Sequence, residues 1–183
     1  ILKLLPMPET SASLLACFEN LDQALECSRR IFASGMLPTA MELMDDTVLE
    51  CLASTRKVLW PAGARSALLF KLDGAGSSVA SELERLAAIV SSSSPMWQDQ
   101  GTGPAEDALW DLRRLINPAS FSLGPDKISD DVTVPRGRIA ELINGVKNIS
   151  REKKLPVLTF GHLGDGNIHV NIMYDAFNKK QNQ

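Results

Sequence analysis

Both histidines of the sequence fall in one short segment, Phe160-Gly161-His162-Leu163-Gly164-Asp165-Gly166-Asn167-Ile168-His169. Its flanks are strand-like, and Asp165-Gly166 is a strong two-residue hairpin signal. Centring the turn there sets Gly164 opposite Asn167, Leu163 opposite Ile168, and His162 opposite His169. Side chains directly opposed on one face of a hairpin have Cβ atoms about 4.5–5.5 Å apart, so two imidazoles could converge on one cation. Zinc, iron and manganese all accept imidazole nitrogen, and a carboxylate is the natural third ligand. A single histidine here would read as an ordinary polar strand residue; the opposed pair is what points to a site. Asp165 and Asn167 have two open readings, as turn formers and as ligand contacts, Asn167 on the substrate side.

Other chemistry is sparse. Neither G-x-G-x-x-G nor a Walker pattern occurs, so this chain alone is expected to bind no nucleotide and no FAD. The net charge of −3 argues against a nucleic-acid footprint. No run approaches the roughly 18 apolar residues of a membrane span. The chain opens Ile1-Leu2-Lys3-Leu4, with no basic signal-peptide region and no initiator Met, and is expected to be a fragment or a processed product. Cys17, Cys27 and Cys51 share no motif spacing and read as buried small residues in a reducing, cytoplasmic setting. Hydrophobic residues at 44% and charged residues at 22% describe an ordinary globular domain, and 183 residues suffice for one core.

Strand–helix–strand units must carry the hairpin. Residues 13–19 read as a buried strand. A helix follows, with Asn20 as N-cap, Gln23 at the capping-box spacing, and a stop at Gly35 before Pro38. Residues 40–44 are a short strand, and Asp45 or Asp46 caps a helix through Leu52. The unit then recurs. Residues 66–72 form a strand, 73–76 a turn, Val79, Leu83, Leu86 and Val90 a helical stripe, Ser91–Ser94 a loop, and Met96-Trp97 a short strand. A third helix covers residues 104–116, 118–127 are irregular, and Val132-Thr133-Val134 is a strand stopped by Pro135. A helix over 136–151 turns Ile139, Leu142, Ile143, Val146 and Ile149 inward. Residues 157–160 and 168–173 are strands, and 178–183 fray. Leu15, Leu25, Ile31, Leu43, Leu69, Leu83, Leu112, Ile143 and Val157 are the expected core. The fold class is α+β: ferredoxin-like repeats, a mixed or mainly antiparallel sheet, and helices largely on one face. Arg113 follows Leu112 by about 100° round its helix. It should emerge at the border of the buried stripe, with Arg114 more exposed; by itself it reads as a solvated residue.

Residues 161–169 resemble the G-H-x-G-D-G-N-x-H signature of the FAD-linked oxidase carboxyl-terminal domain, a family that includes D-lactate dehydrogenases, glycolate oxidase flavin subunits and D-2-hydroxyglutarate dehydrogenases. Three further segments are similar to family segments: Glu42-Leu43-Met44-Asp45, Ala108-Leu109-Trp110-Asp111-Leu112-Arg113 (L-W-x-x-R), and Asp131-Val132-Thr133-Val134-Pro135-Arg136. The resemblance implies the substrate- and metal-binding cap domain of an FAD-dependent enzyme that oxidises a D-2-hydroxy acid to the 2-oxo acid. It implies a divalent metal such as Zn, Fe or Mn on His162 and His169, which also serve catalysis, a substrate carboxylate on Arg113, and Lys127 as a second basic contact. FAD would sit on a preceding flavin domain of the same parent chain. The family's third metal ligand, a glutamate in S-x-E-H-G-x-G, lies beyond the signature, and the sequence ends at Gln183 without it. The expectation is therefore a fragment, with a possible homodimer. The competing readings are a non-enzymatic metal- or ligand-binding module and a structural dimerisation domain.

Overall fold

The computed structural model describes residues 6–56 and 58–178; the expected fraying of 178–183 lies almost wholly outside them. The elements are β1 (Thr10–Phe18), α1 (Leu21–Ala33), β2 (Ala40–Asp45), α2 (Asp46–Arg56), β3 (Ser66–Gly74), α3 (Gly76–Ser92), β4 (Trp97–Gly101), α4 (Pro104–Ser120), β5 (Asp126–Thr133), a 3-10 turn at Arg136–Arg138, α5 (Ile139–Lys153), β6 (Val157–His162) and β7 (Asn167–Tyr174). The strands form one sheet in the order β4-β1-β3-β2-β6-β7-β5, and every neighbouring pair is antiparallel.

The order has a simple origin. In the first half, β1-α1-β2 and β3-α3-β4 interleave as β4-β1-β3-β2, the split ferredoxin-like arrangement. In the second half, β5-α5-β6-β7 gives β5-β7-β6, the same placement as β1-β3-β2. The two repeats join where β2 meets β6.

Strand alternation sends side chains to opposite faces. On one face Leu14, Ala16, Phe18, Leu43, Leu68 and Phe70 pack under α1, α3 and α5; on the other Leu15, Cys17, Met44, Leu69, Leu158 and Phe160 pack under α2 and α4. Among the described residues, three helices thus pack on one face and two on the other. Both sides of the interior strand β1 are covered, so from Ala12 onward it is buried throughout. Edge strand β5 carries Lys127, Asp130 and Asp131 and is largely exposed, a composition that discourages pairing with another chain.

Several expectations need correction. Helix α4 runs through Pro118 to Ser120. In the last turn Pro118 forgoes only one backbone bond, to the carbonyl of Arg114, so the helix continues. Strand β5 starts at Asp126 inside a stretch read as irregular, because a polar edge strand shows no apolar alternation. Ser91 and Ser92 belong to α3, and β3 extends through the expected turn to Gly74. Ile149 is 59% exposed, since it lies about 120° round the helix from Ile143. Leu25, Leu83 and Leu112 are only partly buried, while the other six expected core residues are buried. Asn20 Oδ1 accepts the Gln23 N–H at 2.9 Å, but Gln23 Oε1 finds no partner, so only half the capping box forms.

The three cysteines are free and buried, and burial pushes the thiols of Cys17 and Cys27 up to about 12 and about 11. Asp45 is the cap of α2: its Oδ1 accepts the Val48 N–H at 2.9 Å, and its Oδ2 accepts the Thr159 N–H at 2.9 Å and hydroxyl at 2.7 Å. Burial nevertheless outweighs these bonds and Lys147, and pushes the carboxyl up to about 6. The folded pKa exceeds the unfolded one, so Asp45 favours the fold most below about pH 4. That contribution is lost as pH rises through about 6. Melts of wild type and Asp45→Asn between those limits should diverge by about 3 kcal/mol, the Asn variant lacking this component of the decline. Parallel curves would show that Asp45 titrates normally.

Candidate functional site

The face under α2 and α4 is apolar at one end and polar at the other. Its polar end collects Glu42 from β2, His162 from β6, Asn167 and His169 from β7, and Asp131 from β5. Alternation explains this: Glu42 shares its side of the strand with Met44, and His162 shares its side with Phe160 and Leu158.

The histidine hairpin differs in register from the expected one. His162 pairs with Asn167, and Phe160 pairs with His169. The connection is a four-residue loop, 163–166, and not the two-residue turn. Leu163 is drawn into the core, its N–H donating to Met41 O at 2.8 Å. A slip of two residues preserves the side-chain faces, where a slip of one would have reversed them. The histidines are therefore diagonal neighbours on one side, with ring centroids 5.2 Å apart and rings at 82°. Two glycines permit the close approach. A Cβ on Gly166, where φ is +78°, would lie 2.1 Å from Val134 O, and one on Gly161 would lie 2.4 Å from Asn167 O.

Each imidazole is held by a carboxylate through Nδ1. His162 pairs with Glu42 Oε1, and His169 pairs with Asp131 Oδ1 at 2.5 Å. A carboxylate only accepts, so Nδ1 carries a proton, and in the neutral tautomer this selects, Nε2 is the nitrogen with the lone pair. Phe160 packs against His169 with centroids 5.0 Å apart, and the Arg113 guanidinium lies 4.6 Å over the Phe160 ring. Glu42 is nearly enclosed, its side chain 4% exposed, and its second oxygen accepts Arg113 Nε–H at 2.6 Å.

Helix α4 supplies the other wall. Glu106, Trp110, Arg113 and Asn117 follow a helical stripe. Glu106 accepts from Ser11 and Ser13 hydroxyls at 2.6 and 2.9 Å. Trp110 Nε1–H donates to Ser13 Oγ at 2.8 Å, and Asn117 accepts from Lys127. Arg113 is 18% exposed and Arg114 63%, the expected contrast. Lys127 reaches the end of α4, with Nζ 5.4 Å over Phe121; no described contact joins it to the histidines. Asp165 Oδ1 accepts the Asn167 N–H at 3.0 Å, the contact of a turn former, and Asn167 Oδ1 is buried with no hydrogen-bond partner among the described residues. Glu42, Trp110 and His162 wall an open cleft of about 470 Å³. Another hollow, of about 370 Å³, lies between α1 and α5 beside Arg136 and holds neither histidine.

Sequence reasoning gave no chemical role to Glu42, Asp131, Phe160 or Asn117. A glutamate inside the apolar run Met41–Met44 was the one available signal; the others depend on register. Among the described residues no group of three or more His, Cys, Asp and Glu side chains is placed to hold a metal ion. The two imidazoles lie 5.2 Å apart with each Nδ1 committed to a carboxylate, which leaves Nε2 as the nitrogen each could offer a cation, and Asn167, whose Oδ1 is orphaned, pairs with His162 across the hairpin.

The sequence pattern described as FAD linked oxidases, C-terminal domain, matches residues 7–183. The chain belongs to this family. It is 34% identical over 182 residues to the glycolate oxidase subunit GlcD of Bacillus subtilis, covering 99% of this chain and 39% of that protein. It is 31% identical to the Escherichia coli K12 subunit of the same name, over 95% of this chain and 35% of that protein. A mitochondrial D-lactate dehydrogenase [cytochrome] of Kluyveromyces lactis is 27% identical, over 89% and 30%. The chain thus spans well under half the length of these relatives. The fold is that of p-cresol methylhydroxylase, with a TM-score of 0.72 at 11% identity, over 97% of this chain and 42% of that one. No helix among the described residues is long and apolar enough to cross a membrane.

Proposed function

We propose that this chain is the substrate side of an FAD-dependent dehydrogenase or oxidase that converts a D-2-hydroxy acid of the glycolate or lactate type to the 2-oxo acid. The observation that carries the reading is the grouping of Arg113, His162 and His169 on one polar face, with the Nδ1 atom of each imidazole committed to a carboxylate. The names of the family relatives supply the substrate class.

Arg113 Nε is tied to Glu42, and among the described residues no hydrogen bond takes up its Nη donors, which could grip a carboxylate; a guanidinium fork suits that planar anion. Asn167 and Lys127 border the same face and are assigned secondary contacts. His162 and His169 would hold a divalent metal through Nε2, and an open Nε2 lone pair could instead take the hydroxyl proton. When bound, the metal would acidify the substrate hydroxyl and FAD would accept the hydride. The chain's own part is to fix the acid at its carboxylate end, present imidazole nitrogen at its hydroxyl end, and wall both with Phe160 and Trp110.

The test is substrate-driven flavin reduction by the flavoprotein that contains this chain. A short D-2-hydroxy acid should bleach the flavin without oxygen, and its methyl ester should bind at least about tenfold more weakly, having lost a charge-assisted bond. Equal binding of acid and ester would remove Arg113 from its assigned role. If the metal- or ligand-binding module were correct instead, the chain would bind the acid and no flavoprotein containing it would oxidise it.

A further inference from the structure

We infer that Glu42 is the positioning residue of this site, a buried carboxylate that sets the His162 tautomer with one oxygen and the Arg113 guanidinium with the other. The inference rests on the reading of the site given above, and extends it to a residue that touches neither substrate nor metal.

The geometry is specific. Glu42 is 3% exposed as a residue, and a buried carboxylate is costly unless its oxygens are used. Here both are used. Oε1 engages His162 Nδ1, and Oε2 accepts Arg113 Nε–H at 2.6 Å. The partners come from elements far apart in sequence, β6 and α4, and Glu42 lies between them on β2. Strand pairing of Glu42 with His162 fixes the first contact. The stripe of α4, anchored one turn earlier by Trp110 on Ser13, fixes the second.

The consequence is mechanical. Movement of α4 that displaces Arg113 must pull on the carboxylate that orients His162. Arg113, the carboxylate-gripping group, and His162, the hydroxyl-facing one, are thereby held at one spacing through a single side chain. His169 has no such link: its carboxylate, Asp131, is 64% exposed and its only described partner there is the imidazole. Asp131→Asn is thus an internal comparison that perturbs one histidine without touching the arginine.

The experiment uses Glu42→Gln, which keeps the shape. A glutamine amide can accept from Arg113 or from His162 Nδ1–H, but its NH2 cannot accept from the second. Long-range proton–nitrogen NMR of the full chain reads the His162 tautomer and the Arg113 Nε–H resonance, neither of which needs substrate. In Glu42→Gln, at least one of the two should change, and affinity for added Zn²⁺ should fall by about 10–100-fold, as for other groups that orient a ligating histidine. In the flavoprotein, KM for the hydroxy acid should rise along with the loss in kcat, whereas Asp131→Asn should leave the Arg113 Nε–H signal in place. If Glu42→Gln does not fold, Glu42→Asp is read in its place, since a side chain one methylene shorter cannot span both partners. Unchanged His162 and Arg113 signals in the folded variant would overturn the inference, even if melting temperature drops. These signals decide it whether or not the flavoprotein oxidises a hydroxy acid, so the two readings fail separately.

Discussion

If His162 and His169 hold a divalent metal as proposed, His169→Ala should abolish its binding by the flavoprotein containing this chain and cut turnover by about a thousandfold, the scale of losing several kcal/mol of charge stabilisation. The fold should survive. His169 sits near the end of the sheet on a strand whose neighbours Ile168, Val170 and Met173 carry the packing, and its only described side-chain hydrogen bond is to an exposed Asp131. Metal analysis, steady-state turnover and a thermal melt on one preparation check all three statements. Wild-type turnover with metal retained would remove His169 from the site. Lost turnover with a collapsed melt would make it a structural residue.

Arg113 is expected to separate two effects that usually blur. Arg113→Ala leaves Glu42 buried without its cationic partner, and breaking such a pair costs on the order of 3–5 kcal/mol. The variant should melt far below wild type. Arg113→Lys keeps the charge but loses both the Nε–H aimed at Glu42 and the planar fork. Stability should fall less, while KM for the hydroxy acid rises by about tenfold or more, the worth of one charge-assisted bond. Arg114→Lys should do neither, because Arg114 is exposed and its described ion pair is the local one with Asp111 at 2.8 Å. Matching small effects at positions 113 and 114, read by melts and initial rates, would reduce Arg113 to a solvated helix residue.

Why these residues and not others were legible follows from their physics. The α+β class and the repeated unit came from apolar periodicity, which is strong wherever a face is buried, as at Leu14–Phe18 or Val79–Val90. His162 and His169 were legible because their turn residues are distinctive, and the same-side geometry survived an error in register because that error was an even number of residues. The loop length was not legible. Asp165-Gly166 favours a two-residue turn locally, but burial of Leu163 and its bond to Met41 lengthen the connection, a tertiary effect. Of strand β5 only the end at Val132-Thr133 showed in the sequence; its start at Asp126 did not, because an edge strand has no need of an apolar face. Glu42 was the largest gap: its role depends on α4 arriving from the far side of the sheet, and no local pattern announces that. Arg113 illustrates the converse. Its helical angle placed it at the border of the stripe, and the structure puts it there, yet only the partner on β2 shows why.

The most direct test of the central claim is anaerobic mixing of the flavoprotein that contains this chain with a panel of small acids and phenols, following the flavin's visible absorbance. Rapid bleaching is expected with a D-2-hydroxy acid, slow or no bleaching with its enantiomer and its methyl ester, and loss of the fast phase in His162→Ala and His169→Ala. Bleaching by a 4-alkylphenol with no response to any 2-hydroxy acid would contradict the claim, and would show that the polar face around Arg113 and the two histidines serves a different substrate.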